Sequence, residues 1–361
     1  MEREPKRGPV AAPFEAERKP LVVPALRARP APAAAEADPW VAENNRAARL
    51  LGEGELESAI EVLERCHAAQ PENDVFRRNL AEALVRSAYA HYADHRIQEA
   101  LAALSRALDL EPEREDAARL ESIRAGWLDE SRIEERQWTE SSDLFELAYD
   151  GERVDILEHS QAVLDHLERS YDRFREWFGR DPVREGVSRR IRVVLYRPEE
   201  FDRITGIGDW AGGAFDGVVR VSLASFDPTG TRWKAVLDHE LVHAFVRALG
   251  GIEVPGWLNE GLAQILEPGT PDLGGARERL AGGPLIALER LEGSLAGWED
   301  PAEILRAYAQ SLLLVERIHR EWGEEALRRM ILSCGRGVSP DRSFQSWTGV
   351  PLSAVVEDLL R

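Results

Sequence analysis

The spacing of apolar residues changes character near residue 140. Residues 1–37 have no period and are rich in Pro, Ala and charge, which predicts a disordered tail. Helical order is expected from Asp38-Pro39-Trp40, with Asp as N-cap and Pro at the first helical position. An internal repeat follows. The stretch from Ala59 to Pro71 aligns with that from Ala100 to Pro112, matching Ala59/Leu63/Cys66/Pro71 to Ala100/Leu104/Ala107/Pro112. Small residues at Ala47 and Ala88 mark the helices that precede each copy. Two copies bury too little surface alone, so a further helix is expected at about 113–128. Within this pattern Cys66 and His91 occupy packing positions.

Beyond residue 140 period-two segments appear. Phe145, Leu147 and Tyr149 predict a strand ending at Asp150-Gly151. Val163, Leu167, Tyr171, Phe174 and Phe178 form one stripe of a long helix, closed by Gly179 and Pro182. Residues 191–196 are apolar on both faces and predict a central strand; Pro198 opens a short helix. Asp216-Gly217 between two β-prone runs predicts a hairpin. Its second strand, 218–223, is expected to be a sheet edge open to an extended peptide, with Gly212 and Gly213 allowing close approach. Residues 268–298, rich in Gly and Leu, suggest a flap, and Asp300-Pro301 starts a helix. Residues 324–333, 341–348 and 351–360 predict short closing helices, with Cys334 just past the first. The fold class expected is α+β.

Composition narrows the functional classes. The net charge is −19 and there is no Lys/Arg block, which argues against nucleic acid as a partner. Lysine occurs only at Lys6, Lys19 and Lys234. Two cysteines make no disulfide framework. No apolar run approaches the ~20 residues of a membrane span. The absence of a signal-peptide core favours the cytoplasm, and a start upstream of Met1 would make the protein an exported one.

Candidate chemistry centres on His239-Glu240-Leu241-Val242-His243. On a helix, residues four apart share a face, so both imidazoles can bind one ion while Glu240 faces a bound water. A catalytic zinc needs three protein ligands and one open position. Glu260, 17 residues after His243 in Trp257-Leu258-Asn259-Glu260-Gly261-Leu262-Ala263, is the candidate third ligand, on a second helix reached through the turn 250–256. Glu267 has two readings, an acceptor for a ligating His N–H or a solvated helix end. Asp238 reads as a surface or capping carboxylate and His319, among charges, as a surface residue.

Joined to W-L-N-E-G-L-A, the H-E-x-x-H motif resembles the gluzincin zinc metallopeptidases. The nearer resemblance is to peptidase MA-like domains that follow tetratricopeptide repeats in bacterial proteins. It rests on Tyr149-Asp150-Gly151, on 191–196 and on Trp210 to Gly217, in that order before the H-E-x-x-H helix. The repeat itself resembles the second helix and closing proline of tetratricopeptide repeats. Its 41-residue spacing exceeds their usual period of about 34, and the extra turns are assigned to the helix spanning 74–93. The resemblance implies a tetratricopeptide-like helical domain at 38–130 and a thermolysin-like (gluzincin) domain with a small mixed sheet and C-terminal helices at 138–361. It also implies His239, His243 and Glu260 as zinc ligands, Glu240 as general base, and Tyr308 as an oxyanion stabiliser whose alternative is core packing. The partners implied are a peptide or protein substrate and a protein bound by the repeats. The alternatives are an inert zinc-domain scaffold and an aminopeptidase. Against the latter, the chain has no acidic anchor of the G-x-M-E-N type. The His243–Glu260 spacing is a little shorter than in aminopeptidases with the same W-L-N-E-G motif, so their substrate details do not transfer.

Overall fold

The computed structural model describes residues 38–184, 190–206, 212–225, 230–293, 295, 298 and 300–359. It is mixed α+β, mostly helical with one small mixed sheet, and it divides at Arg136/Gln137 into two compact units.

The first unit is five helices, α1 (Pro39–Glu53), α2 (Leu56–Ala69), α3 (Asp74–Ala93), α4 (Ile97–Leu110) and α5 (Ala117–Glu134), each packed on the next. The start is fixed as the sequence suggests: the Asp38 carboxylate accepts from the Trp40 N–H at 2.9 Å, with Pro39 at the first turn. The alanine, leucine and cysteine positions of the repeat are the core, while Pro71 and Pro112 are exposed. Ala59, Cys66, Ala100 and Ala107, like Ala47 and Ala88, have 0 % exposure, so their small size lets neighbouring helices approach. α3 is 20 residues long against 14 for α2 and for α4. His91 is half-buried with Nε2 3.2 Å from the Ser87 hydroxyl.

The second unit is built on a five-stranded sheet ordered β1-β2-β3-β5-β4, with β1 (Gln137–Ser141), β2 (Phe145–Asp150), β3 (Ile191–Tyr196), β4 (Gly213–Phe215) and β5 (Val219–Ser222). β2, β3 and β5 are parallel, and β1 and β4 are antiparallel to their neighbours at the two ends. β3 is central and buried on both faces, as its composition predicts. β1 is the strand that patterning misses: it is largely exposed and carries no apolar alternation, with Trp138 lying over Gly151.

After β2 come the short α6 (Val154–Leu157) and α7 (Ser160–Phe178), whose apolar stripe packs on the sheet. α8 (Pro198–Thr205) lies against β3 and β5. The Asp216-Gly217 turn forms as expected, with Gly217 at φ 108°. Two expectations are corrected. The strand after the turn is interior, paired to β3 on one side and β4 on the other, so β4 is the edge. Residues 268–298 are no open flap over their described part. The helix α11 (Leu273–Leu280) and a 3-10 turn at Leu288–Leu291 bury Leu280 and Leu291 in the core. Gln310 clamps this segment, donating to the Ile286 carbonyl at 2.7 Å and accepting from its N–H at 2.8 Å. Trp210 and Ala211 of the motif lie outside the described residues.

The remaining helices are α9 (Arg232–Gly250), α10 (Gly256–Leu266), α12 (Pro301–Cys334), α13 (Pro340–Thr348) and α14 (Leu352–Glu357). Gly323 breaks α12 (φ 77°, ψ 178°), which is where the sequence reading starts a closing helix. α9 contacts α7, β4 and β5 as well as α10 and α12, so it runs through the interior of the unit.

Candidate metal centre

Helix α9 places His239 and His243 one turn apart with ring centroids 4.9 Å from each other. It ends at Gly251 (φ 72°), and the chain turns through Pro255 into α10. That turn brings Glu260 back to the histidines, with Oε2 3.6 Å from His239 Nε2. One ligand-capable atom from each of His239, His243 and Glu260 lies within 4.8 Å of the others. All three are buried: 0 %, 1 % and 4 % exposed.

A metal fits this arrangement. Glu260 Oε2 is buried without a hydrogen-bond donor among the described residues, a costly state for a carboxylate unless a cation neutralises it. Two imidazoles and a carboxylate are also a donor set suited to zinc with one position left open. Glu267 accepts the role that the sequence left undecided. Its Oε1 lies 2.5 Å from His239 Nδ1, so that nitrogen carries the proton and Nε2 keeps its lone pair for an ion.

Glu240 is 1 % exposed and faces the β4 edge. A methyl group added at Gly213 would sit 2.3 Å from Glu240 Oε1, so only glycine lets this strand pass so close to the carboxylate. Asn259, beside the ligand, is also buried. Tyr308 is buried on α12 and lines, with Gln264, Glu267 and Arg279, a cavity of about 260 Å³. Its carbonyl accepts from Gln264 Nε2 at 3.2 Å, which ties α12 to the ligand helix.

Asp238 departs from its reading as a surface or capping carboxylate. It is fully buried and lies 2.8 Å from His166 Nε2 and 2.8 Å from an Arg173 nitrogen. The same Arg173 nitrogen donates to the Leu266 carbonyl at 3.2 Å, so one guanidinium of α7 holds both ligand-bearing helices. The spacing of His166 and Arg173, seven residues apart and thus on one face of α7, was the available signal.

No protein-family model matches this chain, and no curated protein matches it either.

Proposed function

We propose that the 137–361 unit is a zinc-dependent peptidase of the gluzincin kind, cleaving peptide bonds within a chain. The observation that carries this reading is the buried His239–His243–Glu260 cluster with Glu240 beside it on the same helix. Bound zinc would supply Lewis acidity towards the scissile carbonyl and the attacking water. His239, held by Glu267, and His243 would bind through imidazole nitrogens, and Glu260 through a carboxylate oxygen. Glu240 accepts a proton from the attacking water and returns it to the leaving amine.

The β4 edge supports a peptide substrate. The hydrogen bond from Ser222 N–H to the Gly212 carbonyl (2.9 Å) sets the alternation, which turns the backbone groups of Gly213 and Phe215 away from β5. No strand among the described residues lies on that side. An extended peptide pairing there would pass beside Glu240. The repeat-like helical unit is proposed to hold a protein partner or to position substrate.

The test compares zinc content and cleavage of a mixed peptide library for the wild type and Glu240→Gln. Retained zinc with cleavage lowered by about 10²–10⁴-fold in the variant supports the reading. Full zinc occupancy with no cleavage by the wild type would leave an inert zinc-binding scaffold. Blocked and free N-termini in the same library separate cleavage within a chain from aminopeptidase action.

A further inference from the structure

We propose that the helical unit contains a second divalent-cation site, formed by His95, Glu130 and Glu134. Each offers one ligand atom, and the three atoms lie within 4.8 Å of one another. Glu130 and Glu134 are one turn apart on α5, an arrangement in which two carboxylates repel each other. Glu130 is also fully buried, which places a hard oxygen donor away from competing solvent.

His95 comes from the turn between α3 and α4. Its backbone is left-handed (φ 56°), unique among the described non-glycine residues. The ring lies with Nε2 2.8 Å from Glu134 Oε1. Two donors each about 2.1 Å from one ion lie roughly 3–3.5 Å apart, so little movement is needed for both to bind it. The surroundings hold the carboxylates in place. The Tyr92 hydroxyl donates to Glu130 Oε2 at 2.6 Å, and its ring is stacked on Trp127 at 4.5 Å. Nearby, Gln98 Nε2 donates to the Ser131 hydroxyl at 2.6 Å, joining the first turn of α4 to α5.

The imidazole favours Zn²⁺ over Ca²⁺ or Mg²⁺, and the two carboxylates also suit Mn²⁺. The bound ion would clamp the α3–α4 turn onto α5 and so stiffen the repeat-like unit. No peptide hydrolysis is assigned to it.

Equilibrium dialysis of the full chain against Zn²⁺ and, separately, Mn²⁺ tests the site, with bound metal counted by mass spectrometry. The wild type should bind two equivalents of Zn²⁺, falling to one in His95→Asn/Glu134→Gln with peptide cleavage unchanged. Asn tolerates the left-handed backbone and Gln keeps the shape of Glu, so the fold is retained, as circular dichroism would check. His239→Ala/His243→Ala should also bind one equivalent and lose cleavage. If that variant binds as much zinc as the wild type, the peptidase centre is wrong and the helical site is untouched by the result. Stoichiometry that His95→Asn/Glu134→Gln leaves unchanged with both metals overturns the second site, leaving only the direct contact of His95 with Glu134.

Discussion

Glu267 reaches His239 from the residue after α10, and this contact decides which imidazole nitrogen would face an ion in the proposed centre. Glu267→Ala should therefore weaken zinc binding by about 10–100-fold, read by competition with a chromophoric chelator, while the helices remain folded. A different chemistry governs two core tyrosines. Tyr149 donates to the Glu140 carboxylate and is buried, and burial first, then that bond, raises its pKa to about 12. Burial also raises Tyr171, which donates to Asp181 at 2.7 Å. Both shifts favour the neutral phenol in the fold. The stabilisation is complete below the unfolded value near 10, and the Tyr149 part is lost as pH rises through about 12. An alkaline titration followed at the phenolate absorbance should show a late component lost together with the fold, and Tyr149→Phe should reduce it. The clustering of His239, His243 and Glu260 was legible at this scale because it is written in residue type and spacing. Gly213 was less so: its closeness to Glu240 depends on how the hairpin lies on α9, which no local pattern encodes.

Among the elements, α9 bears the two candidate histidine ligands but α7 positions it. Asp238 is buried between His166 and Arg173, and Arg173 extends to the end of α10. Asp238→Ala would leave His166 with its longer contact to the Lys234 carbonyl (3.3 Å) as acceptor and free Arg173 from the Asp238 carboxylate. The expected loss is about 1–3 kcal/mol of stability in denaturant unfolding, with weaker zinc retention as α9 and α10 loosen. From sequence, period and turn chemistry located α7, β2, β3 and the hairpin, because each carries a continuous apolar face or an Asp-Gly turn. They misjudged the order of the last two strands. A hairpin can add to a sheet by either of its strands, and that choice is made by β3 pairing with β5, a contact between residues far apart in the chain. β1 escaped for the opposite reason: it is held by backbone pairing to β2 while its side chains face water. The supposed flap was misread because Gly and Leu content does not reveal that Gln310 and Arg306 bond to its backbone.

At the scale of the whole chain, two compact units each have a separate apolar core. No helix among the described residues is long and apolar enough to cross a membrane. If zinc occupies the His239–His243–Glu260 centre, chelation should destabilise the 137–361 unit. Free zinc at a hundred times its Kd contributes about 2.7 kcal/mol. For a unit of this size that is roughly 5–10 °C in Tm, measured with and without chelator and diminished in His243→Ala. The shortness of β4 has a separate consequence for substrates. Three residues, two of them turned outward, offer an extended peptide only a few backbone hydrogen bonds. At about 1 kcal/mol each, these supply about 3–4 kcal/mol, near or weaker than millimolar affinity. A peptide meeting the cleft by diffusion alone would seldom dwell there. One already held by another contact, at millimolar effective concentration, would occupy it for much of the time. If the proposed peptidase activity holds, such a cleft would discriminate by delivery: what is cut would depend less on the residues that enter it than on what else retains the chain that carries them.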